Sequence, residues 1–189
     1  MPQNDVCSIC GSSQFKNYRG RTNVRCCKCF SLERHRDAWG VLREIELGRV
    51  LYVGPEPCLA KRIRAACKSF VSMDLSPRYS ATLKMNLVST DFGDDEFDQV
   101  VCLHVLEHIV EAEVAIRELA RIAKTAVISV PLIDCKSYRD ETATTPTART
   151  RSHGQHNHEW QFGSVDFGTI LLRNGFSECI RHKDTFLCR

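Results

Sequence analysis

The sequence lacks any uninterrupted apolar run near the ~18 residues that a membrane span needs. Its start, MPQNDVCSIC, lacks the basic-then-apolar pattern of a secretory leader. Both absences point to the cytoplasm as the expected location. In that reducing compartment, eleven cysteines do not read as a disulfide framework. Net charge is sparse as well, at +3, which excludes a strongly charged chain and singles out no partner. Glycine is scarce where it would say most. The turn after the apolar strand "RVLYV" reads "GPEPC", with one glycine where a dinucleotide cradle carries three. A nicotinamide-binding phosphate cradle is therefore not expected. The H-E-x-x-H pattern of zinc proteases is missing too, although "HVLEH" puts His104 and His108 four apart.

What is present begins with cysteine. "CSIC" and "CCKC" place Cys7, Cys10, Cys26 and Cys29 as two C-x2-C knuckles separated by fifteen residues. Each knuckle aims two sulfurs at one point, and two knuckles complete a tetrahedron around Zn2+. Cys27 is the spare, and Gly11 suits the turn after the first knuckle. A four-thiolate site is closed, so this zinc is expected to be structural. Cys58, Cys67, Cys102, Cys135, Cys179 and Cys188 are scattered and read as small apolar residues. The same N-terminal stretch is basic. It holds Lys16, Arg19, Arg21, Arg25, Lys28, Arg34 and Arg36 against only Asp5, Glu33 and Asp37.

"SLERHRDAWGVLREIELG" comes next, with Leu32, Trp39, Leu42 and Ile45 at helical spacing. Ser31 is the expected cap and Gly48 the expected stop. From Arg49 strands and helices alternate. "RVLYVG", "SFVSMD", "FDQVVCLH" and "TAVISVP" read as apolar strands, and "CLAKRIRAAC" and "VEAEVAIRELARIA" as amphipathic helices. "PRYSATLKM" reads as a short helix or turn, and 134–161 as a polar loop whose stretch "SYRDETATTPTARTRS" is a candidate lid. Arg139, Arg149 and Arg151 in it are candidates to meet an anionic substrate. "VDFGTILLRNGF" reads as a helix ending at Gly175, and "SECIRH" and "TFLC" as two closing strands. The expected fold is α/β, a Rossmann-like parallel sheet covered on both faces, with an antiparallel edge and an N-terminal zinc ribbon. The expected organisation is a ribbon over 1–33, a connecting helix over 34–48 and the main domain over 49–189. Ligands of such sheets sit beyond the carboxyl ends of the strands. Asp74 stands there, twenty residues beyond Gly54, where an acid accepts ribose hydroxyls.

"FDQVVCLHVLEHI", with "RVLYVG", "MDLSP", "KMNL" and "RNGF" in order, strongly resembles the class I S-adenosylmethionine-dependent methyltransferases. The likeness runs from Arg49 to the C-terminus. The cysteine prefix, "GPEP" and "RSHGQHNHEWQFG" resemble a bacterial subgroup of that family with an N-terminal zinc ribbon. The resemblance implies that Val53, Gly54, Pro55 and Glu56 form the cofactor turn, stiffened by Pro55 and Pro57. It implies that Asp74 holds the ribose and Leu75 packs on the adenine. Asn86 and Leu87 would flank the adenine edge, and His104 and Val105 the methionine part. S-adenosylmethionine has no phosphates, so a stiff proline turn can serve it. Two positions depart from the family. Tyr52 replaces an acid that orients the methionine ammonium, and Glu56 replaces a glycine. Glu56 either approaches that ammonium or caps the next helix.

Some acceptors must lose a proton, which calls for a base that titrates near neutrality. "HGQHNHEW" supplies His153, His156 and His158, with His156 or His158 as the candidate base, or the three as a metal set. Glu107 and His108 read as bracing a helix start. The expected activity is S-adenosylmethionine-dependent O- or N-methylation of a small-molecule or sugar-type acceptor. One alternative is an RNA methyltransferase gripping RNA through the basic ribbon. Another is a non-catalytic methyltransferase-like binding protein. No membrane partner is expected, and the sequence does not fix an oligomeric state.

Overall fold

In the computed structural model, which describes residues 6–76 and 81–189, a seven-stranded sheet forms the centre of the chain. A hairpin of β1 (Phe15–Tyr18) and β2 (Arg21–Cys26) precedes it, followed by helix α1 (Glu33–Leu42). Then come β3 (Arg49–Val53), α2 (Pro57–Ala66), β4 (Ser69–Asp74) and the short β5 (Leu83–Lys84). The second half runs β6 (Phe97–Leu103), α3 (Ala112–Ile122), β7 (Ala123–Ser129), β8 (Leu132–Ile133) and α4 (Pro146–His153). It closes with β9 (Phe162–Gly163), α5 (Phe167–Arg173), β10 (Cys179–His182) and β11 (Thr185–Cys188). The sheet order is β10-β11-β7-β6-β3-β4-β5, with β11 antiparallel to β7 and the strands from β5 to β7 parallel. The expected α/β architecture and its antiparallel edge are both present.

Strand alternation divides the core in two. Leu51, Val53, Val100 and Cys102 face α3 and α5, with Phe97, Ile116, Leu119 and Phe167. Val50, Tyr52, Val101 and Leu103 face α1 and α2, with Trp39, Leu42, Leu59 and Ile63. Cys7, Ile9 and Cys26 belong to this second cluster, so the cysteine knuckles pack on the same layer as α1 and α2.

Several local expectations are corrected. Helix α1 stops at Leu42, well before Gly48, because Glu44 and Ile45 donate to Val41 and Leu42, three residues back, and tighten the chain out of the α-helix. Gly48 serves another purpose. A Cβ there would lie 2.1 Å from Asp98 Oδ2, so only glycine lets the strand enter beside that carboxylate. Ser31 does not cap α1; Leu32 holds that position and the Ser31 hydroxyl turns to the cysteines. "HVLEH" forms a 3-10 turn over Leu106–His108, and α3 begins only at Ala112. Within "PRYSATLKM", residues 77–80 lie outside the described residues, and Leu83 and Lys84 form the strand β5. The 134–161 stretch is not a bare loop. Thr145 Oγ accepts the Ala148 N–H, Pro146 opens α4, and Gly154 closes it in the left-handed region at φ +76°.

Cysteine also departs from expectation at one pair. The β10–β11 register sets Cys179 opposite Cys188, Cα atoms 4.2 Å apart, and the two are disulfide-bonded. No helix among the described residues is long and apolar enough to cross a membrane.

Candidate functional site

The connections reverse direction between β3 and β6, which is where open α/β sheets bind ligands. The register aligns Val53 with Met73 on one side and Cys102 on the other, so Gly54, Asp74 and His104 emerge side by side. A cleft of about 390 Å³ opens there, within the usual size range of small-molecule sites. Val53, Gly54, Glu56, Asp74, Leu75, Asn86, Leu87, His104 and Val105 all line it. Pro55 is buried behind the turn and does not.

Each wall has a local cause. Gly54 sits at φ +61°, and a Cβ there would come within 2.9 Å of Val105 Cγ2. Gly54→Ala is expected to cost about 1–2 kcal/mol from the left-handed backbone alone. A lowered urea midpoint, with Val105 displaced at the cleft, checks this. His104 takes φ +54° without being glycine, an energetic cost of a kind that clusters at functional turns. Asp74 Oδ1 accepts the Ser76 N–H at 2.8 Å. Leu75 is 61% exposed, an apolar side chain left open on the cleft wall.

Glu56 stands at the N-cap of α2, yet its side chain makes no cap hydrogen bond. Its carboxylate instead meets Arg34 Nη2 at 2.5 Å and the His35 Nε2–H, both from α1. The capping role is thereby corrected. The Leu32 N–H donates to His35 Nδ1 at 2.9 Å. Nδ1 therefore offers a lone pair, and His35 is a neutral imidazole donating from Nε2. Burial lowers the His35 pKa, against the pull of Glu56. Burial pushes the Glu56 carboxyl up, but His35 and Arg34 outweigh it and hold it below the usual carboxylate range.

The His35 shift has a pH consequence. Its folded pKa lies below that of the unfolded chain, so unfolded chains take up the proton first. Stability present above about pH 6.5 is then lost as pH falls through that value. Urea midpoints between pH 7.5 and 5.5 should fall, and His35→Gln should flatten the slope by up to about 1.4 kcal/mol per pH unit.

Tyr52 is fully buried against α1 and α2 and does not line the cleft. Arg34 also lines the cleft. Sequence reasoning did not assign it there, because it belongs to a helix from outside the alternating pattern.

The three loop histidines are dispersed. His153 is buried, its Nε2 accepts the Asp140 N–H at 3.2 Å, and its ring stacks on Tyr138. His156 is exposed. His158 is buried beside Glu107 and His108, and these three group together rather than the three histidines. None of the three lines the cleft, whereas Asn157 between them does. Among the candidate lid arginines, Arg139 pairs with Glu141 and Arg149 with Glu159.

The sulfurs of Cys7, Cys10, Cys26 and Cys29 lie within 4.8 Å of one another. Cys7–Cys29 and Cys10–Cys26 are 3.7 and 3.5 Å apart. A tetrahedral zinc with ~2.3 Å bonds needs about 3.8 Å between sulfurs, so the set fits. The knuckles share one hydrogen-bond pattern. Gly11 N–H donates to the Cys7 carbonyl and Phe30 N–H to the Cys26 carbonyl, with Ser12 and Ser31 carbonyls accepting from Cys7 and Cys26. The Ser31 hydroxyl contacts both Cys7 and Cys29 sulfurs, at 3.3 and 3.2 Å. Cys27 stays outside the set.

Strand order, switch-point cleft and antiparallel edge are those of the class I methyltransferase fold. Residues 53–128 match the family model described as "Methyltransferase domain". No curated protein matches the sequence. Among solved structures, YcgJ from Bacillus subtilis is 15% identical, with TM-score 0.61 over 78% of this chain and 71% of that one. A chain from the complex of the Haloferax volcanii Trm112 methyltransferase activator with a methyltransferase is 14% identical, with TM-score 0.60 over 82% and 89%. The Burkholderia thailandensis 1,6-didemethyltoxoflavin-N1-methyltransferase, solved with 1,6-didemethyltoxoflavin and S-adenosylhomocysteine, is 12% identical, with TM-score 0.60 over 82% and 76%.

Proposed function

We propose that the chain methylates a small-molecule or sugar-type acceptor, at oxygen or nitrogen, with S-adenosylmethionine bound in the switch-point cleft. The observation that carries this reading is the convergence of Gly54, Asp74, Leu75, Asn86 and His104 on one cleft. Asp74 accepts the ribose hydroxyls. Leu75 packs on the adenine, with Asn86 and Leu87 at its edge. Val53, Gly54, His104 and Val105 border the methionine part. Glu56 and Arg34 form an ion pair on the cleft wall that matches a zwitterionic amino-acid tail, ammonium to Glu56 and carboxylate to Arg34. Holding the acceptor in line with the sulfonium methyl supplies much of the rate. The bound cofactor supplies the electrophilic methyl. His156, exposed beside the cleft residue Asn157, takes the acceptor's proton.

The zinc of the cysteine set is structural, since four thiolates leave no open position. The test is calorimetric titration of the zinc-loaded full chain with S-adenosylhomocysteine. Saturable micromolar binding is expected. Absence of heat from a folded protein refutes the reading and favours a methyltransferase fold kept for another ligand.

A second reading rests on the ribbon surface. Phe30 is 52% exposed and lies under Lys16 and Arg25, while Tyr18 lies under Arg19 and Arg25. Cations interleaved with open aromatic faces suit single-stranded RNA. If RNA is the acceptor, its affinity should fall steeply with salt, and Phe30→Ala should weaken it.

A further inference from the structure

Beside the cleft is a cluster that neither the cofactor nor the ribbon uses. Glu107 is 1% exposed and His158 3% exposed, and His108 is the more open member. One donor atom from each lies within 4.8 Å of the others. Glu107 Oε2 and His158 Nδ1 are buried and have no hydrogen-bond partner among the described residues. A buried carboxylate oxygen left unpaired is costly, and the usual remedies are a water, a proton or a metal ion.

The tautomer of His108 argues for the ion. His108 Nδ1 lies 2.9 Å from the Asn157 carbonyl oxygen, which only accepts. In the neutral ring Nδ1 carries the proton, and Nε2 presents its lone pair 4.0 Å from Glu107 Oε1. A backbone carbonyl fixing one ring nitrogen so that the other can ligate is the common second shell of metal-bound histidine. The cluster is also pinned from outside. The Glu107 carbonyl accepts the Glu159 and Trp160 N–H groups, at 2.8 and 3.2 Å, and locks the His158 segment onto the 3-10 turn. His104 Nδ1, 3.3 Å from Glu107 Oε1, steadies the same carboxylate. A tetrahedral centre wants its ligand atoms about 3.4 Å apart, so the donors must draw in by about 1.4 Å at most. Rotation of the open His108 side chain supplies part of that.

We propose that Glu107, His108 and His158 bind a divalent transition ion of the zinc class, distinct from the ion of the four cysteines. Two imidazoles and a carboxylate are a ligand set of open zinc sites, with at least one coordination position unfilled by protein. Glu107 and His158 are closed off, and His108 lines the cleft. The open position therefore faces the cleft, where an oxygen donor of the acceptor completes the shell. That last step rests on the methyl-transfer reading, whereas the metal site does not.

The test is a Co2+ titration of the full chain as purified, followed by absorption. A second-site ion gives weak visible bands without the near-ultraviolet thiolate band that cobalt in a cysteine set shows. One saturating equivalent with this signature is expected. His108→Ala, on an open side chain that folding tolerates, should weaken it more than about 100-fold, beyond the range for outer-shell partners. Glu107→Gln should do likewise, and exposed His182→Ala should leave it intact. A folded protein that shows only a thiolate band, or none, overturns the proposal. So does a cobalt site that survives His108→Ala unchanged. Neither result bears on S-adenosylhomocysteine binding, which is measured separately.

Discussion

Asp74→Ala is expected to lower the affinity for S-adenosylhomocysteine by at least about 100-fold while leaving the fold intact. The carboxylate sits at the carboxyl end of β4, between Gly54 of the neighbouring turn and the Asn86 wall. A charged acceptor in such a hydrogen bond contributes about 1.5–3 kcal/mol. Two ribose hydroxyls on one carboxylate therefore give about 3 kcal/mol or more, which is roughly two decades in Kd. The structural loss is small. Asp74 is partly exposed, and among the described residues its carboxylate accepts one hydrogen bond, from the Ser76 N–H at Oδ1. The urea midpoint should move by less than about 1.5 kcal/mol of stability. Asp74→Asn keeps an acceptor and should fall between the two. If the alanine variant binds as tightly as the parent, the ribose is held elsewhere and the cofactor pose fails.

Much of this site was legible because the switch point depends on strand order, and strand order follows from alternation. The apolar strands at Arg49–Val53, Ser69–Asp74 and Phe97–Leu103 could be read from sequence, and the residues just past them became the cleft. The four-cysteine set was legible for a local reason, since each knuckle is a short turn that fixes its own geometry. The features that escaped were set by partners distant in sequence. Arg34 and His35 lie on a helix whose sequence suggests only a connector, and their role appears once that helix packs beside α2. Glu107 and His158 are fifty-one residues apart, and no periodicity links them. Helix α4 escaped differently. Its T-P opening and Gly154 close were present, but its residues carry no apolar stripe to mark them. The Cys179–Cys188 bond required the exact hairpin register.

The other large effect expected is that metal removal from the cysteine ribbon will weaken cofactor binding, although no ribbon sulfur lines the cleft. A physical path connects the two. Cys7 and Cys29 sulfurs contact the Ser31 hydroxyl, and the next residue, Leu32, donates its N–H to His35 Nδ1. His35 and Arg34 then hold Glu56, at the start of α2 and on the cleft wall. Cys7, Ile9 and Cys26 also share the apolar cluster of Trp39, Leu59 and Ile63. Structural zinc contributes about 10–16 kcal/mol in small modules, so the stripped ribbon is expected to lose its packed form. Helix α1 then loses one side of its support, and the Arg34–Glu56 pair loosens. Cys10→Ser, or stripping by a chelator, should raise hydrogen exchange over α1 and the first turn of α2. Exchange over α3, which packs on the opposite face of the sheet, should change little. S-adenosylhomocysteine affinity should fall by about tenfold or more, the scale of one charge-assisted hydrogen bond lost. Arg34→Met in the metal-loaded protein separates the two contributions. If it reproduces the affinity loss with α1 still protected, the ribbon acts on the cleft through Arg34. If stripped protein binds as the loaded one does, the ribbon is only a neighbour, and Glu56 needs no help from α1.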